Sequence, residues 1–224
     1  MCDVPWSVAE TRRQKLLAWL PAAILLLIIG GVVFTTIAVQ NSWWAEDEPV
    51  ASSDQKAADG SSKLSDAGLD YVNVEGVLRV RMGAGALAAS KIGLGADEEK
   101  SAEFRRPVRA VIAAGDEVYV VEDVETMDAV AGGGELSALT LGVGQPLPWS
   151  NAVGTMQGLA AQFGWNQDEI ASWEEQISDF TRDHTEGTFT AEVTSTDAAK
   201  ITGTVRFDRA TGYTTISVTF APPA

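Results

Sequence analysis

The pattern of apolar and polar positions changes character several times along this chain. Leu16 to Val39 is an apolar run of 24 residues without Asp, Glu, Lys, Arg or His. A helix of that length reaches about 36 Å, against about 30 Å for the hydrocarbon core of a bilayer. Backbone polar groups must be paired internally in lipid, so the run predicts one transmembrane helix over 16–39. Residues 40–68 are rich in Ala, Ser and Asp and hold few large apolar groups. They predict an acidic flexible linker, whose 45–68 portion spans about 27 Å as a coil.

From residue 69 the periodicity becomes that of a folded domain, predicted over 69–224. Val72, Val74, Leu78, Val80 and Met82 alternate with polar residues, which predicts a half-buried strand with a bend or bulge at Gly76. Val108–Ala114 and Val118–Val124 flank Gly115-Asp116-Glu117 and predict a hairpin. Leu136–Val143 reads as a further strand. Two helices follow in the prediction, 151–163 and 167–183. The second is the better marked: Asn166 caps it, and Ile170, Trp173, Ile177 and Phe180 recur at helical spacing. Phe189/Ala191/Val193, Ile201/Gly203/Val205/Phe207 and Ile216/Val218/Phe220 then alternate as three strands in meander order. Strands, helices, strands is an α+β arrangement, with helices on one face of an antiparallel sheet.

The flanks of the apolar run set its orientation. Arg12, Arg13 and Lys15 precede it, and Glu46, Asp47 and Glu48 follow it. The basic side marks the cytoplasm, so residues 1–15 form a cytoplasmic tail, and the domain lies outside the plasma membrane. Trp43 and Trp44 fit the outer interfacial belt and Trp19 the inner one. The run is too long for a secretory signal, and its only nearby cysteine, Cys2, lies at the wrong end for a lipoprotein. Pro21 sits near the helix start, and Gly30, Gly31 and Thr35 form a small-residue stripe that lets a partner helix approach closely.

Charge narrows the function. The chain carries −15, and the first 15 residues hold three bases against two acids, so the acidity belongs to the remainder. A domain this acidic excludes nucleic acid and anionic lipid surfaces as general partners. One Cys and one His exclude zinc, haem and iron–sulfur ligation on the outer domain, and no cofactor is expected. His184 falls at a predicted helix end and reads as a capping residue. Gly83, Gly85, Gly93 and Gly95 match neither GxGxxG nor a Walker motif, so residues 83–100 read as a surface loop. On the second helix Asp168, Glu175, Asp179 and Asp183 share one face, a solvated surface or a docking face for a basic protein or Ca²⁺. Glu122, Asp123, Glu125 and Asp128 carry the same alternatives.

The basic tail, single span, tryptophan belt and cofactor-free acidic domain resemble accessory subunits of the actinobacterial cytochrome bc–cytochrome oxidase respiratory supercomplex. The resemblance is one of layout and covers the whole chain. It implies a non-catalytic subunit whose partners, the cytochrome bc and oxidase subunits, carry the haem and copper. The alternatives are a free-standing membrane-anchored module that binds an envelope ligand, and a hydrolase working through carboxylates.

Overall fold

The computed structural model describes residue 25, residues 51–195 and residues 200–222. The chain divides into two units, Met1–Val50 and Ala51–Ala224. The predicted 16–39 span apart from Leu25, its flanking Arg12, Arg13, Lys15, Trp19, Trp43 and Trp44, and Pro21, Gly30, Gly31 and Thr35 all lie outside the described residues. Among the described residues no helix is long and apolar enough to cross a membrane.

The second unit is an α+β fold. Its elements are α1 (Asp66–Glu75), β1 (Val77–Met82), a 3₁₀ turn (Ala89–Lys91), β2 (Glu99–Ala114), β3 (Glu117–Gly132) and β4 (Glu135–Leu147). Then come α2 (Trp149–Phe163), α3 (Gln167–Asp183), β5 (Thr188–Thr194), β6 (Lys200–Asp208) and β7 (Thr214–Ala221). The seven strands form one sheet in the order β1-β2-β3-β4-β7-β6-β5, parallel only between β1 and β2. The expected hairpin, the Leu136 strand, both helices and the closing meander are all present, with longer strands than predicted.

One face of the sheet is covered. Ile112, Val121, Leu139, Val218, Val205 and Val193 point inward from six adjacent strands, and each is 2 % exposed or less. Against them pack Met156 and Phe163 of α2, Trp165 of the joining loop, and Ile170 and Trp173 of α3. The rings of Tyr119, Phe163 and Phe220 meet with centroids 5.9–6.0 Å apart, tying α2 to β3 and β7. Asn166 accepts from the Asp168 and Glu169 amides, as its position before an acidic first turn requires. Phe180, placed on the buried face by its spacing, is only half-buried.

Two expectations fail at the start of the domain. Val72 and Val74 are not in a strand: residues 66–75 form α1, so the domain has three α-helices rather than two. Ser65 caps it by accepting from the Gly68 amide at 3.4 Å, Leu69 and Val72 face the core, and Val74 is 62 % exposed. Gly76 is no bulge; it ends the helix in the left-handed region at φ 78°, where a side chain is disfavoured.

Nor are residues 51–68 a flexible linker. Ser62 satisfies the outer edge of β1 twice: its amide donates to the Arg79 carbonyl at 2.8 Å, and its hydroxyl accepts from the Arg79 amide at 3.0 Å. Leu64 is fully buried, and its amide bonds the Ile92 carbonyl at 2.7 Å. The 83–100 segment is likewise more than a surface loop, because Ala89, Ile92 and Leu94 are buried and β2 begins at Glu99.

Candidate functional site

The predicted acidic face is real as a surface. Asp168, Glu175, Asp179 and Asp183 are all exposed along α3, while Ile170 and Ile177 on the opposite side are buried. Asp179 pairs with Arg182. His184 is the C-cap of α3; its amide donates to the Phe180 carbonyl at 2.9 Å and its ring stacks on Phe180 at 4.6 Å. Arg209, which sequence reasoning passed over, reaches back from the β6–β7 turn to the Thr181 and His184 carbonyls at this helix end.

The second acidic group has a structural explanation. Glu122 pairs with Arg109 across β2 and β3, which raises the arginine's pKa through a hydrogen bond and charge attraction. Asp123 has φ 56° and occupies a β-bulge, where β3 inserts an extra residue opposite β2. Among the described residues no three His, Cys, Asp or Glu side chains form a group that could hold a metal ion.

Acids also line a cavity of about 290 Å³ between α1 and β2, including Asp66, Asp70 and Glu103. Asp70 pairs with Arg105 at 3.1 Å and Asp66 with Lys100 at 2.6 Å. The hydrogen bond and charge of Lys100 hold the Asp66 carboxyl below its ordinary value. A general acid working near neutral pH requires the opposite shift.

Glu75 is the most constrained acid. At the end of α1 it binds Lys56 Nζ at 2.8 Å and Arg79 Nη1 at 2.7 Å, fastening the 51–65 segment to β1. Burial pushes its carboxyl up, but hydrogen bonds and charge from Lys56 and Arg79 outweigh this, and the net shift is downward. A depressed folded-state pKa stabilises the fold above the unfolded carboxylate range and loses that contribution as pH falls through the folded value. Glu75→Gln is therefore expected to cost about 1–2 kcal/mol near pH 7. Urea unfolding of both proteins should show this gap closing between about pH 5 and pH 3. A gap independent of pH would mean that packing, not charge, holds the junction.

The feature that sequence reasoning missed is the other face of the sheet, which the described helices leave open except at its β1–β2 edge, where α1 and the 59–61 turn border it. Thr194, Thr202, Thr219 and Thr140 stand in register on β5, β6, β7 and β4, and Asp128 and Ser101 continue the row on β3 and β2. The next row is Glu192, Thr204, Ser217, Gly142, Thr126 and Glu103. Within the first row hydroxyls pair across strands, Thr194 with Thr202 at 3.1 Å and Thr140 with Thr219 at 2.9 Å. A side chain at Gly142 would overlap Thr126 Oγ1, so the glycine leaves room for its neighbour.

The part of this field on β4, β7 and β6 carries no charge; Glu192 and Glu103 stand at its margins, and Asp128 lies within its first row on β3. Beyond it on β2 and β3 the same face turns apolar, with Val118 63 % and Val120 36 % exposed opposite Ala113 and Val111. The signal was present in the sequence: the outward positions of β5 to β7 are mostly Thr and Ser, the complement of the alternation that gave the core.

No protein-family model, curated protein or solved structure matches this chain.

Proposed function

We propose that this chain is a non-catalytic, single-span membrane protein of the plasma membrane, with its N-terminus in the cytoplasm and its domain outside. Its role is that of an accessory subunit, docking the outer domain against protein subunits of a larger membrane complex. The observation that carries this reading is the open sheet face with its hydroxyl rows. The six strands that carry these rows extend about 24 Å at about 4.8 Å spacing, and seven residues of strand add about 23 Å. The resulting face of roughly 550 Å² compares with the about 800 Å² per partner of a standard protein interface and suits a modest contact.

Charge decides the kind of partner. In a chain of −15, a central surface free of acids fits a flat, neutral protein surface, where charged side chains would lose solvation without compensation. The half-buried threonines of this field also have little side-chain entropy to lose on docking. The layout resemblance described above nominates the respiratory supercomplex as the assembly, with the acidic face of α3 left as a solvated or secondary surface.

The reading predicts the effect of T204K/T219K, which sets two lysines in the middle of the field. Both positions face outward, so the melting temperature should stay within a few degrees of wild type. Recovery of the partner on an affinity tag should fall at least about tenfold, because two ammonium groups would be desolvated in the interface. Unchanged recovery with intact folding would remove the sheet face as the docking surface.

A further inference from the structure

A cavity of about 580 Å³ opens at the start of the folded unit, within the size range of small-molecule sites. One wall is the turn of residues 51–58, ordered by the Ser52 amide on Gln55 Oε1 at 2.8 Å and the Gln55 amide on the Ser52 carbonyl at 3.0 Å. The opposite wall is Leu87 and Lys91 at the 3₁₀ turn, joined to the first through Lys63. Its lining divides chemically. Ala51, Ala57, Ala58 and Leu87 supply an apolar surface, and Lys56, Lys63 and Lys91 supply three cations.

Among the described residues no acid lines this cavity, although the chain holds 31 acidic residues against 16 bases. Lys56 is committed to Glu75 and lies 5.2 Å from the centroid of the Tyr71 ring. Lys63 and Lys91 have no acidic partner among the described residues. Two unneutralised ammonium groups beside an apolar wall select a ligand with both characters. The geometry points to a binding site for one amphiphilic anion, an acyl chain ending in a phosphate or carboxylate head.

The overall acidity of the domain does not oppose this. At physiological ionic strength charges are screened beyond about 8 Å, so a ligand in the cavity answers to the lysines around it. Acidity does oppose a broad anionic membrane surface, which would meet the whole domain. The site therefore takes a single molecule rather than a bilayer. This inference is independent of the docking role of the sheet face.

The test uses the full chain in dodecyl maltoside, with native mass spectrometry reading the adducts. Lysophosphatidylglycerol and dodecanoate are the anionic probes, and lysophosphatidylcholine is the uncharged control. A saturable one-to-one adduct is expected with an anionic probe, at least about tenfold tighter than with the control. If dodecanoate binds as well as the lysolipid, the site reads the charge and tail; if only the lysolipid binds, it reads the phosphate. K63Q/K91Q should weaken the adduct at least about tenfold while leaving the Lys56–Glu75 pair and the melting temperature unchanged. Leu87→Glu should weaken it too, by charging the wall that meets the tail. Equal binding of charged and uncharged lysolipids, or of wild type and K63Q/K91Q, would overturn the assignment. Full competition by inorganic phosphate alone would overturn the amphiphile.

Discussion

Replacing Trp173 by alanine is expected to destabilise the folded domain by about 3–5 kcal/mol, more than any other single truncation in α3. Trp173 is 2 % exposed and is among the largest fully buried side chains. It joins α3 to the cluster formed by Phe163, Trp165 and Ile170. Truncation removes its transfer free energy and leaves a cavity that a seven-stranded sheet is too rigid to close. A domain of this size holds about 5–15 kcal/mol in total, so the loss is a large share. It should appear as a fall in melting temperature of roughly 6–20 °C. A loss under about 1 kcal/mol would mean that α3 is not part of the cooperative unit.

The second large effect concerns a residue with no side chain. Gly203 lies on the inner face of β6, where an added Cβ would stand 2.5 Å from Met156 Cε and 2.6 and 2.7 Å from two Trp165 ring carbons. Met156 is flexible and gives way at small cost. Trp165 is held: its indole N–H donates to the Ile201 carbonyl at 2.9 Å, and its ring lies 4.8 Å from Phe163. Gly203→Ala is therefore expected to cost about 2–3 kcal/mol by overpacking. Unfolding of the double variant G203A/W165L tests the cause, because removing the indole should make the alanine nearly neutral against the W165L background. An undiminished cost in that background would place the strain in the backbone of β6 instead.

How far the sequence carried the fold depends on which signals agreed locally. In α3 the Ile170, Trp173 and Ile177 spacing, the Asn166 cap and the acidic first turn all pointed one way. The meander was equally legible because every inward position of β5 to β7 except Thr214 is apolar or glycine. At residues 66–82 two readings competed. Val72, Val74, Leu78, Val80 and Met82 keep a two-residue period across a helix and a strand, and only Ser65 and Gly76 marked the boundary.

Composition misled at 51–68, since one buried leucine and two hydrogen bonds between Ser62 and a strand edge, one donated and one accepted, are enough to order a segment poor in apolar groups. The acidic residues drew notice because charge is conspicuous in a sequence, yet Glu122 and Asp179 pair with neighbouring arginines and Asp123 serves a bulge. The threonine rows went unread for the opposite reason. Hydroxyl residues at strand positions satisfy β-propensity without comment, and their alignment over several strands follows only from register.

The most direct measurement is affinity purification on a C-terminal tag from native membranes solubilised in mild detergent, with wild type and T204K/T219K run in parallel. The account predicts stoichiometric recovery of large membrane subunits with wild type, accompanied by haem absorbance if the assembly is the respiratory supercomplex. It predicts their loss with the double variant at equal expression and unchanged folding. A wild-type protein that elutes alone at native expression would contradict the accessory-subunit reading and move the weight to a free-standing envelope-binding module.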